Sequence, residues 1–179
     1  MGGQAGARAR PIDPFMKTDR KALKQALGGG AVAGIVAGTV LKLLLLSTAH
    51  GQYAQVLKSS AAPFIGPHAF NGSYALGPIL LGLACHFAIS IAWGVLFGAL
   101  LYGQSRGTTL AAGVAWGLVV WLVMSYLVLP MVGLGAMVAS APIGPAIFGH
   151  LIFGLTLAAA FLPFQETSGV SHFIQRRSI

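Results

Sequence analysis

Four apolar stretches constrain this chain more than any other feature of it. A helix needs ~20 mostly apolar residues to cross the hydrocarbon layer of a bilayer. Such stretches run from about Gly28 to Leu46, Pro78 to Tyr102, Thr108 to Leu129 and Ile143 to Phe164. In hydrocarbon every backbone polar group must be satisfied within its own segment, which a helix does and a lone strand does not. Composition agrees: 8% of residues are charged, against ~25% in soluble domains, so the chain cannot cover a water-facing surface of its own. The expected fold is therefore an all-α membrane protein of four transmembrane helices. It comprises a basic tail 1–27, a membrane domain 28–164 with a long outer loop 47–77, and a second tail 165–179. Pro130 is expected to end the third span, because it lacks the N–H that a continuing helix needs.

The net charge of +8 raises the question of nucleic acid, but the positions of the charges argue for a membrane. Arg8, Arg10, Lys17, Arg20, Lys21 and Lys24 precede the first span, Arg106 follows the second, and Arg176 and Arg177 follow the fourth. No basic stripe with interleaved aromatics lies on a folded element, as a nucleic-acid surface requires. Cations flanking apolar spans set orientation and meet lipid headgroups. Membrane lipids are thus expected partners and nucleic acid is not, and both termini are expected on the cytoplasmic side. The first 27 residues are too polar for a cleaved signal, so the first span reads as an uncleaved anchor. Lys58 is the lone basic residue of the outer loop, and Lys42, near the outer end of span one, is expected to snorkel to lipid or to meet a partner. The loop itself reads as a lid over the bundle. Its Asn71-Gly72-Ser73 fits a glycosylation acceptor, which matters only in a eukaryotic secretory route.

Small residues recur at every fourth position, which is helical spacing. Span one carries Gly30, Gly34, Gly38 and Lys42; span two carries Gly82, His86, Ser90, Gly94 and Gly98. Span three carries Thr109, Gly113, Gly117, Trp121 and Ser125; span four carries Ala146, His150, Gly154 and Ala158. Lipid supplies no hydrophobic drive for helix association, so small residues that let backbones approach are the natural packing faces. Ala33-Gly-Ile-Val-Ala-Gly38 also matches Ala112-Gly-Val-Ala-Trp-Gly117. The chain is thus expected to be two parallel helical hairpins related by a pseudo-two-fold axis along the membrane normal, with His86 and His150 in equivalent places.

His86-Phe87, the run Trp93-Gly94-Val95-Leu96-Phe97-Gly98, Trp116-Gly117, Leu129-Pro130-Met131-Val132-Gly133 and Gly149-His150-Leu151 stand out in this frame. Over roughly positions 28 to 164 the chain resembles a family of small prokaryotic four-helix membrane proteins whose function is not known. The resemblance implies a multi-pass protein of the prokaryotic inner membrane and carries no activity with it.

His86 and His150 are the sharpest candidates for a polar interior site, since ionisable groups at membrane depth usually face the bundle interior and have a role. Three readings stand side by side: neutral histidines bonded across a helix interface, a haem b held between two imidazoles, or a path for protons or solutes. No cofactor is the first expectation and haem b the alternative. The single cysteine, Cys85, excludes an internal disulfide and a cysteine-based metal cluster within one chain. The sequence holds no phosphate loop, nucleophile elbow, zinc-protease helix or dinucleotide fingerprint, so an enzyme is not expected. The expected function is a non-catalytic accessory subunit packed against other membrane subunits of a larger complex, such as one of electron transport. A small channel or transporter and a haem-binding electron carrier are the alternatives.

Overall fold

The computed structural model describes residues 14–140 and 142–165. The first thirteen residues and 166–179, and with them about half of the expected N-terminal tail and nearly all of the C-terminal one, lie outside the described residues. Among the described residues there is no strand. The helices are α1 (Pro14–Ser47), α2 (Tyr53–Lys58), α3 (Ala62–Ile65), α4 (Leu76–Leu101), α5 (Arg106–Val123), α6 (Leu129–Met131), α7 (Gly135–Ser140) and α8 (Ile143–Phe161). Four stretches are long and apolar enough to cross a membrane: Arg20–Ser47, Leu76–Leu101, Arg106–Met131 and Ile143–Phe164.

α1 begins well before the apolar span. At ~1.5 Å per residue its 34 residues reach ~50 Å, well beyond the hydrocarbon thickness. Ala22 to Leu27 are good helix formers, and buried Ala26 lies against Gly98 of α4, so the neighbouring helix supports the added turns. The third span differs from expectation as well. Its helix runs past Pro130 to Met131 through a π-turn at Met124–Val128. A π-turn shifts the carbonyl ladder by one residue, which takes the carbonyl of residue i−4 out of the way of the proline ring. The chain then breaks at Gly133, whose φ of +81° favours glycine.

α1 packs closely on α4 and on α8, and α5 packs on α8, whereas the α4 and α5 backbones stay farther apart and meet through side chains. The turn that joins α4 to α5 is tied by Gln165, whose Nε2 donates to Leu101 O and Thr109 Oγ1, both 2.8 Å away, while its Oε1 accepts from Gly103 N at 2.7 Å. Ser105 caps α5 by accepting from Thr108 N.

The small-residue faces are consumed by these contacts. A Cβ added at Gly34 would strike the carbonyl of Ser90, and one at Gly30 or Gly94 would strike the other's carbonyl. In the second pair a Cβ on Gly117 would strike the carbonyl of His150, and one on Gly154 that of Gly113. These contacts correct the expected register. Gly154 stands to Gly113 and Gly117 as Gly94 stands to Gly30 and Gly34, so His150 falls opposite a glycine where Ser90 does, and His86 lies one turn farther along. The match of Gly34 with Gly113 shifts by the same turn, to Gly34 with Gly117. Gly82 serves the long connection rather than another spanning helix, since its missing Cβ makes room for Leu57 O and Lys58 Cα.

Candidate functional site

The connection from Ser47 to Leu76 folds into a cap of short helices that rests on α4. Lys58 holds it together. The residue is 0% exposed, and its Nζ donates to Asn71 O (2.9 Å), Asn71 Oδ1 (2.5 Å) and Ser73 O (2.8 Å). Asn71 Oδ1 also accepts from Ser73 N and Ser73 Oγ. The Asn-Gly-Ser triplet is thus a ligand loop for a buried ammonium. Lys42 is corrected likewise. It is 5% exposed and donates to Val56 O at 3.1 Å, so it pins the end of α1 to α2 rather than reaching lipid.

Beneath the cap lies a cavity of about 300 Å³. α4 contributes His86, Ile89, Ser90 and Trp93 to its walls, and α8 contributes His150 and Phe153. The π-turn supplies Met124 and Ser125, and Ser59, Ser60 and Pro63 of the cap form the roof. The slot left where α4 and α5 diverge is this cavity. The π-turn has a second consequence here: by adding a residue to one turn it lets Ser125 share the cavity face with Val120, Met124, Val128 and Leu129.

Aromatic rings close the floor. Trp93 and Trp116 meet edge to face at 5.7 Å, Phe97 meets Trp116 and Phe161 at 5.8 Å each, and Phe161 stacks on Phe164. Such pairs contribute ~0.5–1.5 kcal/mol each beyond burial. The mid-span tryptophans at 93 and 116 therefore pack inside the chain.

Both histidines face the cavity and each spends one nitrogen on the fold. His86 Nε2 lies 2.8 Å from Gly38 O, across the α1–α4 interface, and His150 Nδ1 lies 2.8 Å from Ala146 O of its own helix. A carbonyl only accepts, so the bonded nitrogen carries the hydrogen in each ring. The other nitrogen, His86 Nδ1 or His150 Nε2, is then a lone-pair acceptor in the neutral imidazole. Neither makes a hydrogen bond among the described residues. Ser90 Oγ donates to His86 O at 2.9 Å, fixing that turn of α4. The cavity is lined by the two imidazoles, by Ser60 and Ser125, whose hydroxyls make no hydrogen bond among the described residues, and by Ser59 and Ser90, whose hydroxyls are bonded to backbone carbonyls; the rest of its wall is apolar.

A bis-histidine haem would compete with a bond that His86 already makes. The Nε2 atom of His86, the one that protrudes from the ring toward an axial position, is bonded to Gly38 of the packed interface. Cys85 lies half-buried on α4 with a free thiol and is not part of the cavity wall.

One family model covers the site and the bundle that builds it, matching residues 24–171. The chain belongs to DUF6789, a family of unknown function. The match takes in all four long apolar helices, the capping connection and both cavity histidines. No curated protein and no solved structure matches the chain.

Proposed function

We propose that this chain is a non-catalytic, membrane-embedded binding module that holds a small, uncharged, mostly apolar molecule carrying a hydroxyl group. The observation that carries the reading is the cavity under the cap, with ring-nitrogen acceptors on two different helices and apolar walls between them. Its volume is at the small end of ligand sites, which span ~300–1,000 Å³. A hydroxyl donor would satisfy His86 Nδ1 or His150 Nε2, and a ring would pack edge or face on Trp93. The aromatic floor favours holding over passage, since a channel needs a continuous polar path.

The accessory-subunit reading keeps the support of small size and few polar interior groups but not that of the small-residue faces, which are spent on contacts between α1 and α4 and between α5 and α8. The proposal places both ends of the chain on the cytoplasmic side of a prokaryotic inner membrane. It is supported by the fact that all basic residues except Lys42 and Lys58 fall on that side of the spans. It also takes the two helix pairs as pseudo-two-fold related, which the matching close approaches of Gly30, Gly34 and Gly94 and of Gly113, Gly117 and Gly154 support.

The test uses tryptophan emission, because Trp93 lines the cavity. 4-Bromophenol, a ring with a hydroxyl donor and a quenching heavy atom, should quench saturably, and should bind roughly fivefold tighter than bromobenzene for one added hydrogen bond. Trp93→Phe should remove most of the quenching, and His150→Phe most of the preference for the phenol. Linear quenching of equal strength by both probes would sink the proposal.

A further inference from the structure

At the far end of the bundle from the cap, a crevice of about 640 Å³ runs along the start of α1. Arg20, Lys24, Gly28 and Val32 follow one another at four-residue spacing on one row of the helix, and Lys21, Gln25 and Gly29 form the adjacent row. The three cations are exposed. They precede the apolar stretch that begins at about Gly28, the position at which a spanning helix meets lipid headgroups. Gln25 Oε1 already accepts from Tyr102 Oη at 2.7 Å, which leaves its amide N–H groups as what it can offer the crevice.

The two glycines below the cations differ in kind. A Cβ on Gly29 would strike the ring of Phe164, so that glycine seats the aromatic wall. A Cβ on Gly28 would meet nothing within 4 Å. Packing within the chain therefore does not explain Gly28, which leaves an open apolar notch between Val32 and Phe164 directly under three positive charges. The sequence places six cations and only Asp13 and Asp19 in the first 24 residues, so this end stays net positive however those charges pair.

We infer that this crevice is a binding site for an acidic phospholipid. The lipid phosphate would sit among Arg20, Lys21 and Lys24, and the glycerol and upper acyl chain would fill the Gly28 notch. Three cations over an apolar slot match a phosphodiester joined to hydrocarbon, and match neither a free anion nor a zwitterionic headgroup as well. The inference does not depend on the cavity proposal.

Native mass spectrometry of the full chain in mild detergent, titrated with phosphatidylglycerol or phosphatidylcholine, tests it. Phosphatidylglycerol should bind at least about tenfold tighter. Replacing all three cations (Arg20→Gln, Lys21→Gln and Lys24→Gln together) should weaken it on the order of a hundredfold. Gly28→Leu fills the notch without altering charge, and should weaken binding while leaving thermal stability unchanged. Equal binding of the two lipids, wild-type affinity in Gly28→Leu, or displacement of the lipid by an equal concentration of inorganic phosphate would each overturn the inference. The response to 4-bromophenol should be unchanged in all of these variants.

Discussion

Lys58→Met lowers the thermal midpoint in detergent by roughly 6–12 °C, the largest shift expected from any single polar residue in the chain. The lysine is fully buried, and its ammonium holds the Asn71 and Ser73 carbonyls and the Asn71 side chain. Hydrogen bonds to a charged donor contribute ~1.5–3 kcal/mol each. A loss of about 3 kcal/mol is the conservative figure, and a chain of this size loses ~2–4 °C per kcal/mol. Methionine keeps the length and the apolar contacts of the stem, so the effect isolates the ammonium. Asn71→Ala removes part of the same network and should lower the midpoint less. The double variant should fall short of the sum, because both changes act on one set of bonds. A midpoint within about 2 °C of wild type for Lys58→Met would show that the cap is not held this way.

The second large effect is steric. Gly94→Leu and Gly34→Leu each drive a side chain into the backbone of the facing helix, which cannot move aside as a flexible side chain can. Forcing extra carbons into a close-packed interface costs ~1–3 kcal/mol where neighbours can shift, and more where they cannot. Both variants should therefore lower the midpoint by ~10 °C or fail to accumulate in the membrane. Gly28→Leu is the internal control: same substitution, same helix as Gly34, open space around it, and no loss expected. If all three variants behaved alike, the α1–α4 contact would not be the close approach described here.

The bundle was legible because its determinants are local and periodic. Span length in hydrocarbon and the four-residue recurrence of glycine both follow from chain geometry, and both can be counted without knowing the fold. The register between the two helix pairs was not legible. Gly34 matches Gly113 in local sequence but Gly117 in its contacts, because a glycine repeat at every fourth residue aligns with itself after a shift of one turn. Only the facing helix breaks that tie. What holds the cap together was not legible for a different reason. A lone lysine in a polar loop is most often solvated, and the three oxygens that bury Lys58 lie 13 and 15 residues away along the chain. Likewise Lys42 has its acceptor, Val56 O, on the folded cap rather than on its own helix. Gln165 was placed in a tail, yet it ties the α4–α5 turn through Leu101, Gly103 and Thr109. The cavity histidines were visible as residues, but which nitrogen each offers depends on Gly38 O and Ala146 O, and sequence spacing alone suggests only the second.

The most direct test of the cavity as a ligand site is mass spectrometry of what leaves the native membrane with the protein. The tagged chain is extracted in mild detergent and compared with a variant carrying His86→Leu and His150→Leu together. Bound small molecules and co-purifying proteins are identified from the same sample. The account predicts one small hydroxylated apolar species in near-equal amount with the wild-type chain, strongly depleted in the variant. Recovery of only bulk lipid from both, or of a stoichiometric set of other membrane subunits with no such species, would contradict it.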